Sequence, residues 1–250
     1  MLKLKPFKEI QKIKFLDFEL PLEIHFEYRM SARVSLGKNK AIVRIPIIAS
    51  SGQKDQHILW AKDWIYKKIA KDPEFSKKYQ PRAYENGSKI QVRQTEFTIF
   101  ISESDKRITG TGKRIGTNIF IELPKNIDAS VKQKMMSDIM SRVMSATYLN
   151  GVKSRVQSIN EKFFRKEINV VRLRNNNSNW GSCSTNKNIS LSSRLLLCPD
   201  FILDYIIIHE LAHLQHHNHS KAFWNLVECV MPEFKLAEKW LKKHGEEYHW

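Results

Sequence analysis

Pro199-Asp200-Phe201-Ile202-Leu203-Asp204-Tyr205-Ile206-Ile207-Ile208-His209-Glu210-Leu211-Ala212-His213 is the stretch whose reading decides the fold. Taken alone, Ile206-Ile207-Ile208 suggests a strand, because β-branched side chains favour the pleated surface. The histidines argue the other way. On a strand, residues four apart lie about 13 Å apart along one face. On a helix, His209 and His213 stand one turn above each other. A pair so placed can share one divalent metal, and Glu210 beside it is close enough to take a proton from a water on that metal. The spacing therefore predicts a helix beginning at Pro199-Asp200, with Asp200 as N-cap and Asp204 in the early turns, where negative charge suits the helix dipole. That helix is apolar nearly all round, so it is expected to be buried.

Downstream, His219 can supply a third ligand if the helix ends soon after His213 and the chain turns back. Glu228 or Glu233 is an alternative third ligand. Ser220 is a suitable N-cap for a helix carrying Ala222, Phe223, Leu226, Val227 and Val230 on one face, ended by Pro232. A last helix carries Phe234, Leu236, Ala237, Trp240 and Leu241, with Gly245 as its C-cap. Three neutral imidazoles and one open position describe a catalytic zinc site, since structural zinc fills all four positions and favours cysteine. His216 and His217 fall where the helix ends and are expected to face solvent. Trp180 and Trp224 are expected as core aromatics, and Cys183 as a small buried residue.

Upstream of the helix, Val170-Val171-Arg172-Leu173 reads as a strand, followed by an Asn-rich loop. Trp180 to Ser184 and Ile189-Ser190-Leu191 then form a hairpin about Thr185-Asn186-Lys187-Asn188. Its edge can pair with an extended peptide. Val131, Met135, Ile139 and Val143, then Val152, Val156, Ile159 and Phe163, recur at helical spacing, with Asn150-Gly151 expected to separate two helices. The front of the chain reads as strand. Ile24, Phe26 and Tyr28 alternate with polar residues, Ala41 to Pro46 forms a second strand, and Gly37-Lys38-Asn39-Lys40 reads as a turn between them. A helix follows Ser51-Gly52. Phe97, Ile99 and Ile101, then Ile119 to Ile121, resume the strand pattern. Gly110, Gly112 and Gly116 lack the spacing of a phosphate loop. The expected fold is α+β, with a β-rich N-terminal region at residues 1–125 and a helical domain at residues 126–250.

Hydrophobic content of 42% and charged content of 27% describe an ordinary globular chain. No apolar run reaches membrane-spanning length, and no apolar segment follows the basic start, so neither a membrane span nor a secretory signal is expected. Cys183, Cys198 and Cys229 form no C-x-x-C pair, which suits reduced thiols in a cytoplasm. The net charge is +16, yet residues 201–250 hold five Lys and seven Asp or Glu, so the positive excess lies entirely in the first 200 residues. Such a surface can attract nucleotides or nucleic acid.

Trp180-Gly181-Ser182-Cys183-Ser184, Ile189-x-Leu191, Arg194-Leu195, Pro199, Asp204-Tyr205, the H-E-L-A-H segment, Asn218-His219-Ser220 and Phe223-Trp224 together resemble the YgjP-like metal-dependent hydrolases. That family lies near the SprT-like, WLM and minigluzincin groups of zincin metallopeptidases. The resemblance implies a zincin-like C-terminal part and one zinc ion per chain. It carries His209, His213 and His219 over as ligands and Glu210 as the catalytic carboxylate. Lys187 stands where a glycine is usual, and Ser192-Ser193 where Asn and an aromatic are common. The expected chemistry is peptide hydrolysis by metal-activated water, with Glu210 as general base and then proton donor to the leaving amine. Arg194, Tyr248 and His217 are the candidates for a second oxyanion partner. The alternatives are hydrolysis of a nucleotide phosphoanhydride, or a SprT-like DNA-associated protease whose basic region binds nucleic acid.

Overall fold

Alternation organises the front of the chain. In strand β2 (Glu19–Glu27), Leu20, Leu22, Ile24 and Phe26 are buried while the residues between them keep some exposure. Tyr28 lies past the strand end and is exposed. Strand β2 pairs antiparallel with β1 (Phe7–Lys14) and parallel with β4 (Ala41–Pro46), and β3 (Arg33–Leu36) completes the order β1-β2-β4-β3. Pro46 ends β4. Helix α1 (Ser51–Ala70) then starts under a capping box in which Ser50 and Gln53 satisfy each other's backbone N–H. Its Ala61, Ile65 and Ile69 share a core with β2 and β4. The computed structural model describes residues 5–15, 19–37, 40–71 and 82–250. The first four residues and Lys38-Asn39 of the expected turn lie outside the described residues.

The chain divides into two compact units, residues 1–81 and 82–250. The second opens on the same plan as the first. Strands β5 (Lys89–Val92), β6 (Thr95–Ser104), β7 (Thr111–Ile115) and β8 (Asn118–Pro124) take the order β5-β6-β8-β7, with β6 and β8 parallel and the outer pairs antiparallel. A proline again ends the fourth strand and a helix follows, α2 (Ala129–Ile159). Gly110 lets α2 approach closely: a Cβ there would lie 2.6–2.9 Å from Met135 and Ile139. The change from strand to helix periodicity near residue 126 falls within this unit.

The expected break at Asn150-Gly151 does not occur; α2 runs through it for 31 residues. Met140 and Met144 before this point, and Val152 and Val156 after it, are buried in one core. Packing along both halves outweighs the roughly 1 kcal/mol cost of a glycine inside a helix. The helix ends in a π-helical turn, Asn160–Phe164, whose Asn160 side chain binds both backbone groups of Lys166.

A third sheet has the order β10-β11-β9. Strand β9 (Val170–Arg174) runs parallel to β11 (Asn188–Ser192), and β10 (Gly181–Cys183) forms the expected hairpin with β11. Three helices follow: α3 (Asp200–Ala212), α4 (Lys221–Val230) and α5 (Phe234–His244). The architecture is α+β, with the β-rich part in front and the H-E-x-x-H helix in the helical part. Among the described residues, no helix is long and apolar enough to cross a membrane.

Candidate active site

Helix α3 holds the site, packed on nearly every face and tied to a neighbouring helix. Ile202, Leu203, Ile206, Ile207, Leu211 and Ala212 are buried around it, and Arg155 on α2 grips Asp204 through two hydrogen bonds of 2.8 and 2.6 Å. Its N-cap is Pro199 rather than Asp200: the extended backbone falls at the proline, and Asp200 becomes the first helical residue. The helix ends at Ala212 with His213 as C-cap. Leu214 N donates to Leu211 O and His216 N to Ala212 O, so the chain leaves the helix in tight turns. Ser220 then caps α4 by accepting from Phe223 N. This return brings His219 back to the helix.

His209, His213 and His219 converge so that one ligand atom from each lies within 4.8 Å of the others. Nε2 of His209 and Nε2 of His219 are 3.1 Å apart. Phe223, fully buried, sits beneath all three, with ring centroids 4.9, 4.6 and 4.8 Å from His209, His213 and His219. Trp224 stacks on His219 at 5.6 Å and on Phe234 at 5.4 Å, which steadies the most exposed of the three imidazoles. Nδ1 of His213 lies 3.0 Å from the His216 carbonyl, and donation along that contact leaves Nε2 with a lone pair facing the cluster.

Two of the three imidazoles are shifted toward the neutral form. Burial, reinforced by His213 and His219, pushes His209 down to about 4. Burial also lowers His213, outweighing its bond to the His216 carbonyl. Two ligand nitrogens on a tetrahedral zinc, with bonds of 2.0–2.1 Å, stand about 3.3 Å apart. The 3.1 Å separation of the two Nε2 atoms fits two ligands of a shared cation. The residues present therefore suit a divalent metal with a preference for imidazole.

Glu210, next to the first ligand, is 4% exposed. Its Oε2 is buried with no hydrogen-bond partner among the described residues, and burial pushes the carboxyl up to about 8.

A family model described as YgjP-like, metallopeptidase domain, matches residues 30–244. The chain belongs to the YgjP-like metallopeptidases. Among solved structures, the metallopeptidase zymogen of Pyrococcus abyssi abylysin is 28% identical and has a TM-score of 0.34, with 37% of this chain and 93% of that one covered. The zymogen of Methanocaldococcus jannaschii jannalysin is 25% identical with a TM-score of 0.30, covering 35% of this chain and 95% of that one. No curated protein matches the chain.

The three candidates for a second oxyanion partner fare differently in this YgjP-like chain. The Arg194 guanidinium is buried and spent on backbone carbonyls: Nε donates to Asn176 O at 2.9 Å, and Nη1 to Tyr248 O. It also lies 4.1 Å from the Trp180 ring centroid. Tyr248 is half-buried against Trp240, and burial raises its hydroxyl. His217 is exposed beyond the helix end. Glu228 and Glu233 are exposed, and the cluster of three histidines forms without them. Two features of the site went unread in the sequence, the floor that Phe223 makes and the close approach of Gly181 to Glu210. The first was hidden in an ordinary amphipathic helix pattern. The second had one signal, a glycine inside a strand where no turn needs it.

Proposed function

We propose that this member of the YgjP-like metallopeptidases is a zinc-dependent peptidase, with His209, His213 and His219 holding one zinc ion and Glu210 carrying the proton. The observation that supports this most is the convergence of three imidazoles beside a buried carboxyl group with an unpartnered oxygen. Zinc, when bound, supplies Lewis acidity to the scissile carbonyl and to the attacking water.

The chain's own residues do the rest. Glu210 accepts a proton from the attacking water as the new C–O bond forms, and delivers it to the amide nitrogen as the C–N bond breaks. Burial of Glu210 favours the protonated carboxyl, the form that holds the proton between the two transfers. Phe223 and Trp224 keep water from the back of the imidazoles and hold their orientation. Among the described residues, strand β10 pairs with β11 on one side, and its other edge carries no strand in the sheet order. An extended peptide added to that edge would run past Glu210, which packs against Gly181 on the same strand.

The test is Glu210→Gln in zinc-loaded protein, assayed on an unstructured protein substrate with metal content measured in parallel. We expect one zinc per chain in both proteins, and a loss of hydrolysis of about 10²-fold or more in the variant. Full activity in Glu210→Gln would overturn the reading. A wild-type protein that hydrolyses nucleotides and leaves peptides intact would move the chemistry to the phosphoanhydride class.

A further inference from the structure

We infer that Gly181 is a positioning residue for Glu210: the missing side chain on β10 makes the space in which the Glu210 carboxyl lies. The inference rests on the reading of Glu210 as the proton carrier. A Cβ on Gly181 would lie 2.5 Å from Glu210 Oε1, 2.8 Å from Cγ and 2.9 Å from Cδ. Three atoms of one side chain, including an oxygen of the carboxyl that does the chemistry, fill the volume that any other residue would claim.

Backbone conformation does not explain the glycine. Gly181 is outside the left-handed region and sits in regular register opposite Leu191. A glycine there carries an entropic cost of about 0.5–1 kcal/mol relative to alanine. Space is the remaining reason. Cys183, two residues on and on the same face of β10, reports the same neighbour: burial first, and then the Glu210 charge, push its thiol up to about 11.

Neither backbone can retreat cheaply. Glu210 stands on a helix buried on nearly every face. Strand β10 is pinned at Trp180, whose carbonyl accepts from Ser192 N at 2.8 Å and whose ring lies under the Arg194 guanidinium. An added methyl must therefore drive Glu210 to a different rotamer. A displacement of about 1 Å in a catalytic group costs on the order of 10²-fold in rate. None of the three histidines supplies an atom among the three nearest to that Cβ, so metal binding should be spared.

The experiment uses the full chain in two arms. In the first, zinc-loaded Gly181→Ala is compared with wild type on a peptide reporter. The expected result is kcat lower by about 10²-fold with KM and zinc affinity within about two-fold. A raised KM with kcat retained would mean that Gly181 serves peptide docking alone, and would overturn the proposal. The second arm needs no activity. Metal-free wild type, Gly181→Ala, Glu210→Ala and the double variant are melted. Gly181→Ala should lower Tm by about 3 °C or more when Glu210 is present, and leave it unchanged or higher in the Glu210→Ala background. A Gly181→Ala substitution that folds only together with Glu210→Ala is the extreme form of that result. Equal losses in both backgrounds would overturn the proposal. If wild type hydrolyses no peptide, the peptidase reading fails, while the melting cycle still decides whether Gly181 makes room for Glu210.

Discussion

Replacing Arg194 by Met should destabilise this protein and leave its proton chemistry intact. The side chain is 3% exposed. Nε donates to Asn176 O at 2.9 Å and to Ser192 Oγ at 3.3 Å, and Nη1 and Nη2 reach Tyr248 O and Asn177 O at 3.4 Å. The short, charge-assisted bond contributes about 1.5–3 kcal/mol, and the long ones together about 1. Stacking on Trp180 adds about 1–2 kcal/mol. Against this stands the desolvation of the charge, which already lowers Arg194 to about 10. Methionine keeps the packing of the stem, so the net loss should be about 3 kcal/mol. For a unit of this size that corresponds to a fall in Tm of about 6–12 °C. The assay is thermal unfolding with saturating zinc, followed by kcat per folded, metal-loaded molecule well below Tm. A loss under about 1 kcal/mol would show that the bracket of carbonyls carries no weight. A stable variant with kcat reduced about 10²-fold would return Arg194 to the oxyanion and refute the reasoning.

Three further outcomes are expected. Zinc at a hundred-fold excess over Kd should stabilise metal-free protein by about 2.7 kcal/mol, a rise of roughly 5–10 °C in the melting of residues 82–250, and His219→Ala should remove most of that rise; differential scanning calorimetry reads both. Gly151→Ala should stabilise by roughly 0.5–1 kcal/mol in urea titration, because the helix runs straight through this position and nothing lies within 4 Å of an added Cβ. In the first unit, Glu23 binds Lys40 at 2.7 Å and His25 at 3.0 Å, and these bonds hold its carboxyl at about 2, below the ordinary 4.5. A folded pKa below the unfolded one gives stability that is complete above about pH 5 and disappears as the pH falls toward 2. Glu23→Gln should therefore lower stability by about 1 kcal/mol at pH 7 and flatten that acid limb; parallel acid limbs in the two proteins would count against the pairing.

Local patterns carried much of this fold. The four-residue histidine spacing overrode the strand propensity of Ile206-Ile207-Ile208, and α3 is a helix. Ser220 could be read as a cap, and with it the turn that returns His219, because capping depends on residues three apart. The hairpin about Thr185–Asn188 was equally local. What escaped depended on distant partners. Asn150-Gly151 looks like a break until Met144 and Val152 are known to share one core. Strand β1 buries only Ile13, so no alternation announces it. Arg194 looks like a free cation until the carbonyls of Asn176 and Tyr248, one of them 54 residues away, close around it. Phe223 resembles any other inward residue of α4, although it touches all three imidazoles.

The shared plan of the two sheet-and-helix groups has one more consequence. Each group is four strands in the order first-second-fourth-third, a terminal proline and a helix, and one module is thus used twice in succession. The copies differ chiefly in helix length, 20 residues in α1 and 31 in α2. In the first copy the helix ends at Ala70. In the second it continues, and Val152, Val156 and Ile159 on the extension join the core that also buries Ile206 and Ile207. The H-E-x-x-H helix thus shares its core with the far half of a helix whose first half packs on a different sheet.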